Sequence, residues 1–210
     1  MKYKNLPDKI AVFPLSRAIF FPKTILPLNI FEDRYVQMIN DCMKDKRLFG
    51  MVQPMSKFNN NALYKVGCLG KIINFKEMID KRFTISLSGI TRFRIKKEIK
   101  TEKLYREFEV DYSDFSDDLN EKESKEEILD ENIIIKIKEF FYKKNYLIQL
   151  DELEKLNFDQ LLSTICMISP FSAEEKQKLI EAIKIEEKIS TLEEIINFNL
   201  FDNLKNKTMQ

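Results

Sequence analysis

Apolar residues in the first half of the chain fall in short runs separated by proline, glycine and charge, whereas in the second half they recur at helical spacing. IAVFPL (10–15), TILPLNI (24–30), LFGMVQP (48–54), GCLGKIINF (67–75) and RFTISLSG (82–89) predict strands. Their prolines mark ends or edges, because proline donates no ladder hydrogen bond. In TRFRIKKE (91–98), Phe93 and Ile95 alternate with Arg92, Arg94 and Lys96, the period of two expected of a half-buried strand. EFEVDY (107–112) repeats that alternation. One stretch differs: Tyr35, Met38, Ile39, Cys42 and Met43 place a single apolar stripe on a helix over 32–46. These elements make a mostly antiparallel β unit with one inserted helix, and closing the sheet into a barrel protects its edges.

The second half predicts helices. Ser124 and Glu127 are spaced as a capping box before ILDENIIIKIKEFFYKK, and Ser172 and Glu175 as another before EKQKLIEAI. Asn157 is a cap for FDQLLSTICMI, which must stop near Ser169 because Pro170 disfavours helical geometry in the residue before it. Thr191 and Glu194 open or punctuate a last helix, along which Leu192, Ile195, Ile196 and Leu200 keep the helical period. Between the halves, SDFSDDLNEKESKEE offers few groups to bury and reads as a linker or a frayed helix start. The expected division is a β unit over 1–115 and a helical bundle over 116–210.

Composition narrows the function classes. A 210-residue chain buries roughly 70% of its unfolded surface, enough for a core without disulfide or metal support. The 35 basic and 34 acidic residues leave a net charge of +1, so no global field draws in nucleic acid or an anionic membrane. Three isolated cysteines, no histidine and no apolar run long enough to span a bilayer point to a reduced, cytoplasmic setting. The four glycines build no phosphate loop, and without histidine there is no Ser-His or Cys-His nucleophile system. Carboxylate pairs such as Asp117/Asp118 read as surface charges. No catalytic residue, cofactor or metal ligand is nominated.

Two binding candidates stand out. Arg92, Arg94, Lys96 and Lys97 project largely from one strand face; they suit a nucleic-acid or acidic-peptide patch, or simply a solvated face balanced by nearby acids. Ile19, Phe20 and Phe21 are consecutive, so a strand would send them to opposite faces. Core packing is the plainer reading; an aromatic left outside would mark a polypeptide-binding surface. With Tyr35, Met51, Arg92 and Arg94 they form the candidate polypeptide-contact set.

FPLSRAIFFPKTILPLNIFEDRY (13–35) resembles the start of the Lon protease N-terminal, substrate-binding domain, which reads FPL, a Pro-Gly loop, then PL-x-IFE-x-RY-x-x-M. The matching positions are Phe13, Pro14, Leu15, Pro22, Pro27, Leu28, Ile30, Phe31, Glu32, Arg34, Tyr35 and Met38. The likeness continues through YKVGCLGKI (64–72), LSGITRFRI (87–95) and ICMISPFSAEEKQKLIEA (165–182). Where the family has Pro-Gly this chain has Pro22-Lys23, so that loop is expected to do without glycine's freedom at positive φ.

The resemblance implies an α+β fold, a PUA-like β pseudo-barrel with one inserted helix followed by a C-terminal helical bundle. At this length it implies the recognition module without ATPase or protease parts. The expected function is non-catalytic binding of unfolded or partly folded polypeptides, as an adaptor or regulator in protein quality control, with a protease or chaperone as partner. RNA binding, known among PUA-like folds, is the alternative, disfavoured by near-zero net charge and no stacking motif.

Overall fold

A computed structural model describes residues 6–16, 18–55, 62–79, 82–120, 131–146 and 156–207, with the side chains of 131, 132 and 201–207 outside that description. The chain divides into two compact units, residues 1–121 and 122–210. The first holds β1 (Lys9–Pro14), β2 (Ile25–Ile30), α1 (Asp33–Lys44), β3 (Leu48–Val52), β4 (Val66–Glu77), β5 (Phe83–Ile99), β6 (Arg106–Asp111) and a 3-10 helix (Ser113–Leu119).

The six strands run β2-β5-β4-β3-β1-β6, and β6 also pairs with β5, so β5, β4, β3, β1 and β6 close on themselves. Only β1 and β3 pair in parallel. Two of the predicted strands, 82–89 and 91–98, are one continuous 17-residue strand. Gly89 between them is no turn. It stays a glycine because a side-chain carbon there would collide with the Phe21 carbonyl oxygen, and Gly89 N–H donates to the Thr24 carbonyl at 2.9 Å. At that length β5 outruns the barrel. Residues 94–99 of β5 pair with β6 and close the barrel, whereas 83–88 pair with β2 on one side and β4 on the other, carrying a three-stranded extension past the closure.

Alternation places Phe93, Ile95, Phe108 and Val110 inside with Ile10, Val12, Leu48 and Leu69, and burying each large side chain contributes about 1.5–3 kcal/mol. Phe93 fills the centre because Gly50 leaves room for its ring. Along α1 four of the five residues of the apolar stripe, Tyr35, Met38, Ile39 and Cys42, are buried and Met43 is half-buried, and the Tyr35 ring packs against Phe13 at 4.3 Å.

The segment 113–119 does not behave as a linker. Phe115 is buried, and Asp118 reaches Arg92 on β5, so the stretch is a 3-10 helix fastened to the barrel. Composition misled because one aromatic and one well-paired carboxylate suffice to hold a short acidic segment.

The helical unit comprises α2 (Glu131–Lys143), α3 (Phe158–Ile168), α4 (Ala173–Glu181) and α5 (Ile185–Lys207), with α2 and α4 packing on α5 and α3 on α4. The predicted caps form: Asn157 accepts from Gln160 N–H at 3.0 Å, and Ser172 and Glu175 exchange both bonds of a capping box. α3 ends at Ile168 as Pro170 requires. α5 begins at Ile185, so Thr191 lies inside it rather than opening it. The Ser124/Glu127 box lies outside the described residues. Among the described residues no helix is long and apolar enough to cross a membrane.

Candidate functional site

Ile19, Phe20 and Phe21 are 3%, 2% and 0% exposed, so they form no surface. The period-two argument does not apply to them: the chain between β1 and β2 is irregular, and all three side chains turn inward. The segment is tied down by Lys23 N–H donating to the Gly89 carbonyl at 3.0 Å and by the Thr24 hydroxyl donating to the Phe21 carbonyl at 2.7 Å. Lys23 itself sits at φ 63°, so the turn keeps the left-handed conformation with a side chain in place. Tyr35 and Met51 are also buried.

Arg92 does not share the exposed face of its neighbours. Its side chain is 4% exposed, and the Asp118 partner 11%. Nε donates to Oδ2 at 2.9 Å, Nη2 to Oδ1 at 2.8 Å and the Arg92 backbone N–H to Oδ2 at 2.8 Å, while the guanidinium lies 4.5 Å from the Phe115 ring centre. Asp118 is therefore no surface charge. Among the seven candidates only Arg94 is exposed, and it meets Asp114 at 2.8 Å. The rest of the basic face is paired across the β5–β6 ladder: Lys96 with Asp111 at 3.1 Å and Lys97 with Glu109 at 2.9 Å. Each is a weak surface pair, but together they interleave the signs and leave no basic stripe.

Besides single exposed residues such as Ile25, Ile73 and Leu104, a group of exposed apolar residues gathers in this unit at the far end of the β2–β5–β4 extension. Ile30 pairs with Phe83, which pairs with Glu77, so the residues just beyond, Phe31 and Met78, emerge at the same end. Phe31 is 64% exposed, Met78 is exposed, and Ile79 next to it is fully so. Phe75 is partly exposed and rests on Phe83 at 4.9 Å, which fixes one ring at the base of the cluster. Met78 N–H donates to the Arg82 carbonyl at 2.8 Å, closing the β4–β5 connection that presents Met78 and Ile79. Sequence reasoning passed over this tip. The available signal was an apolar Met78-Ile79 pair in a strand connection, where polar turn residues are expected.

Nothing at these positions suggests bond-making chemistry. Cys42 and Cys166 are buried, and burial above all pushes both thiols up to about 12, so neither is a thiolate near neutral pH. Among the described residues no group of His, Cys, Asp and Glu could hold a metal ion.

Residues 9–197 match the family model described as the ATP-dependent protease La (LON) substrate-binding domain. The chain is 28% identical over 210 residues to a Lon protease of Desulfosudis oleivorans, covering 93% of this chain and 24% of that protein. With a Lon protease of Syntrophus aciditrophicus it shares 24% identity over 214 residues, covering 95% and 26%. It thus spans about a quarter of the length of these relatives. Two solved structures have the same fold: a Lon N-terminal domain protein from Xanthomonas campestris, with TM-score 0.61, 18% identity, 90% of this chain and 97% of that one, and the N-terminal domain of a Mycobacterium avium complex Lon protease, with TM-score 0.61, 14% identity, 90% and 98%.

Proposed function

This chain belongs to the ATP-dependent protease La (LON) substrate-binding domain family, and from that premise we propose that it is a polypeptide-binding module whose contact surface is the tip of the β2–β5–β4 extension. The observation that carries the reading is the grouping of Phe31, Phe75, Met78 and Ile79, all exposed, at one end of that extension. Apolar groups held out on a rigid support are suited to the exposed apolar segments of unfolded or partly folded chains. The module acts by binding alone, as an adaptor or regulator that delivers or holds such chains for a protease or chaperone. Paired charges along β5 and β6 argue against RNA as the ligand, because a protein that grips phosphates needs uncompensated cations.

The test is fluorescence anisotropy of a labelled unfolded peptide with wild-type protein and with Phe31→Ser and Ile79→Ser. Micromolar or weaker affinity is expected, on the order of −8 kcal/mol or less favourable, and little changed by moderate salt. Each substitution should weaken binding several-fold while leaving the far-UV spectrum unchanged, since both side chains are outside the core. Undetectable binding at high micromolar protein would overturn the function; unchanged binding in both variants would overturn the site.

A further inference from the structure

A cavity of about 200 Å³ opens among β1, the start of α1, the segment after β3 and the start of β6. Val12, Pro14 and Leu63 supply apolar wall, and the charged side chains lining it among the described residues are two arginines, Arg34 and Arg106. Each is paired with an acid that does not line the cavity. Arg106 is forked by Glu98 through two bonds of 2.7 Å, and Arg34 donates Nε and Nη2 to a single Glu32 oxygen at 3.0 and 2.7 Å. A guanidinium has five N–H groups, so Arg34 keeps donors that have no partner among the described residues.

Tyr35 lines the same space; its ring is buried, while its hydroxyl, which makes no hydrogen bond among the described residues, is open to that space. The ring is held in place, packed on Phe13 at 4.3 Å with the Arg34 guanidinium 4.5 Å from its centre. Burial above all raises the phenol above its usual range; Arg34 pulls against that rise, Glu32 adds to it, and Arg106 pulls against it less strongly. The spare donors of Arg34 and the open Tyr35 hydroxyl, beside an apolar wall, are complementary to a carboxylate on an apolar stem.

We propose that this cavity takes the free C-terminal carboxylate of a bound polypeptide, with the last side chain, an apolar one, against Val12, Pro14 and Leu63. An internal Asp or Glu fits less well, because its own side chain is the carboxylate and leaves the apolar wall to bare backbone. The space also suits one terminal residue rather than a segment passing through. The proposal rests on the polypeptide-binding reading and adds a preference for chain ends to it.

Anisotropy with three labelled peptides of one apolar sequence tests it on the full chain: a free-acid Leu C-terminus, the same peptide amidated, and the amidated peptide with one internal Asp. Wild-type protein should bind the free acid about tenfold more tightly than either amide, with the gap narrowing as salt rises. In Tyr35→Phe, which keeps the ring, and in Arg34→Gln, whose side chain is half exposed, the acid-to-amide ratio should fall toward one. Equal binding of acid and amide by wild-type protein would overturn this inference and leave the polypeptide reading standing, as would a ratio that survives both substitutions. Equal gains from the free acid and the internal Asp would overturn the end preference. No binding of any of the three would remove both readings together.

Discussion

Replacing Asp118 by alanine removes one half of a buried ion pair and leaves the other half in place. Three bonds of 2.8–2.9 Å join Asp118 to Arg92, two from the guanidinium and one from the Arg92 backbone N–H. At an effective dielectric constant near 20, opposite charges about 4 Å apart attract by about 4 kcal/mol. The loss should not be read as that attraction alone: the substitution strands a cation whose side chain is 4% exposed, beneath Phe115. Breaking one side of a buried pair costs about 3–5 kcal/mol. For a chain of this length that lowers the Tm by roughly 6–20 °C. The double substitution Arg92→Met, Asp118→Leu leaves no charge stranded and should recover most of the loss, which a simple tally of lost bonds would not predict. Urea unfolding followed by far-UV circular dichroism measures the wild type and both variants, and limited proteolysis reports whether 113–119 is released in Asp118→Ala and held in the double variant. A loss below about 1 kcal/mol in Asp118→Ala, or a double variant less stable than it, would refute the reasoning.

Two more outcomes are expected from the backbone and from titration. Lys23→Gly should stabilise the protein by about 0.5–1 kcal/mol, because relief of the left-handed cost of about 1–2 kcal/mol exceeds the extra freedom glycine gives the unfolded chain; a lower denaturation midpoint would show that φ 63° is not strained. Asp111 is held down to about 2, first by the Ser113 backbone N–H at 3.0 Å and then by Lys96. Its folded pKa lies below the ordinary 3.8, so the charged form adds stability above about pH 4 that is lost as pH falls from there towards 2. Asp111→Asn should flatten the stability curve in that window, and an unchanged slope would contradict the assignment.

The strand periods, the helical stripe of α1 and the caps at Asn157 and Ser172 were all legible in the sequence, because each depends on residues close together in the chain. The IFE-x-RY segment and its companions carried the family as well. What the sequence could not settle were properties fixed by partners far along the chain. Arg92 looks like Arg94 in a strand of period two, and only the return of 113–119 over β5 buries one and leaves the other in solvent. Ile19, Phe20 and Phe21 read as a possible surface until the irregular segment that carries them is seen packed down onto Gly89. Phe31, set in the most recognisable motif of the chain, is exposed because β5 runs past the barrel closure and carries the end of β2 with it. Local pattern determines which face a residue takes within its own element. Whether that face meets core, a neighbour's charge or water is decided by long-range closure, which no window of sequence contains.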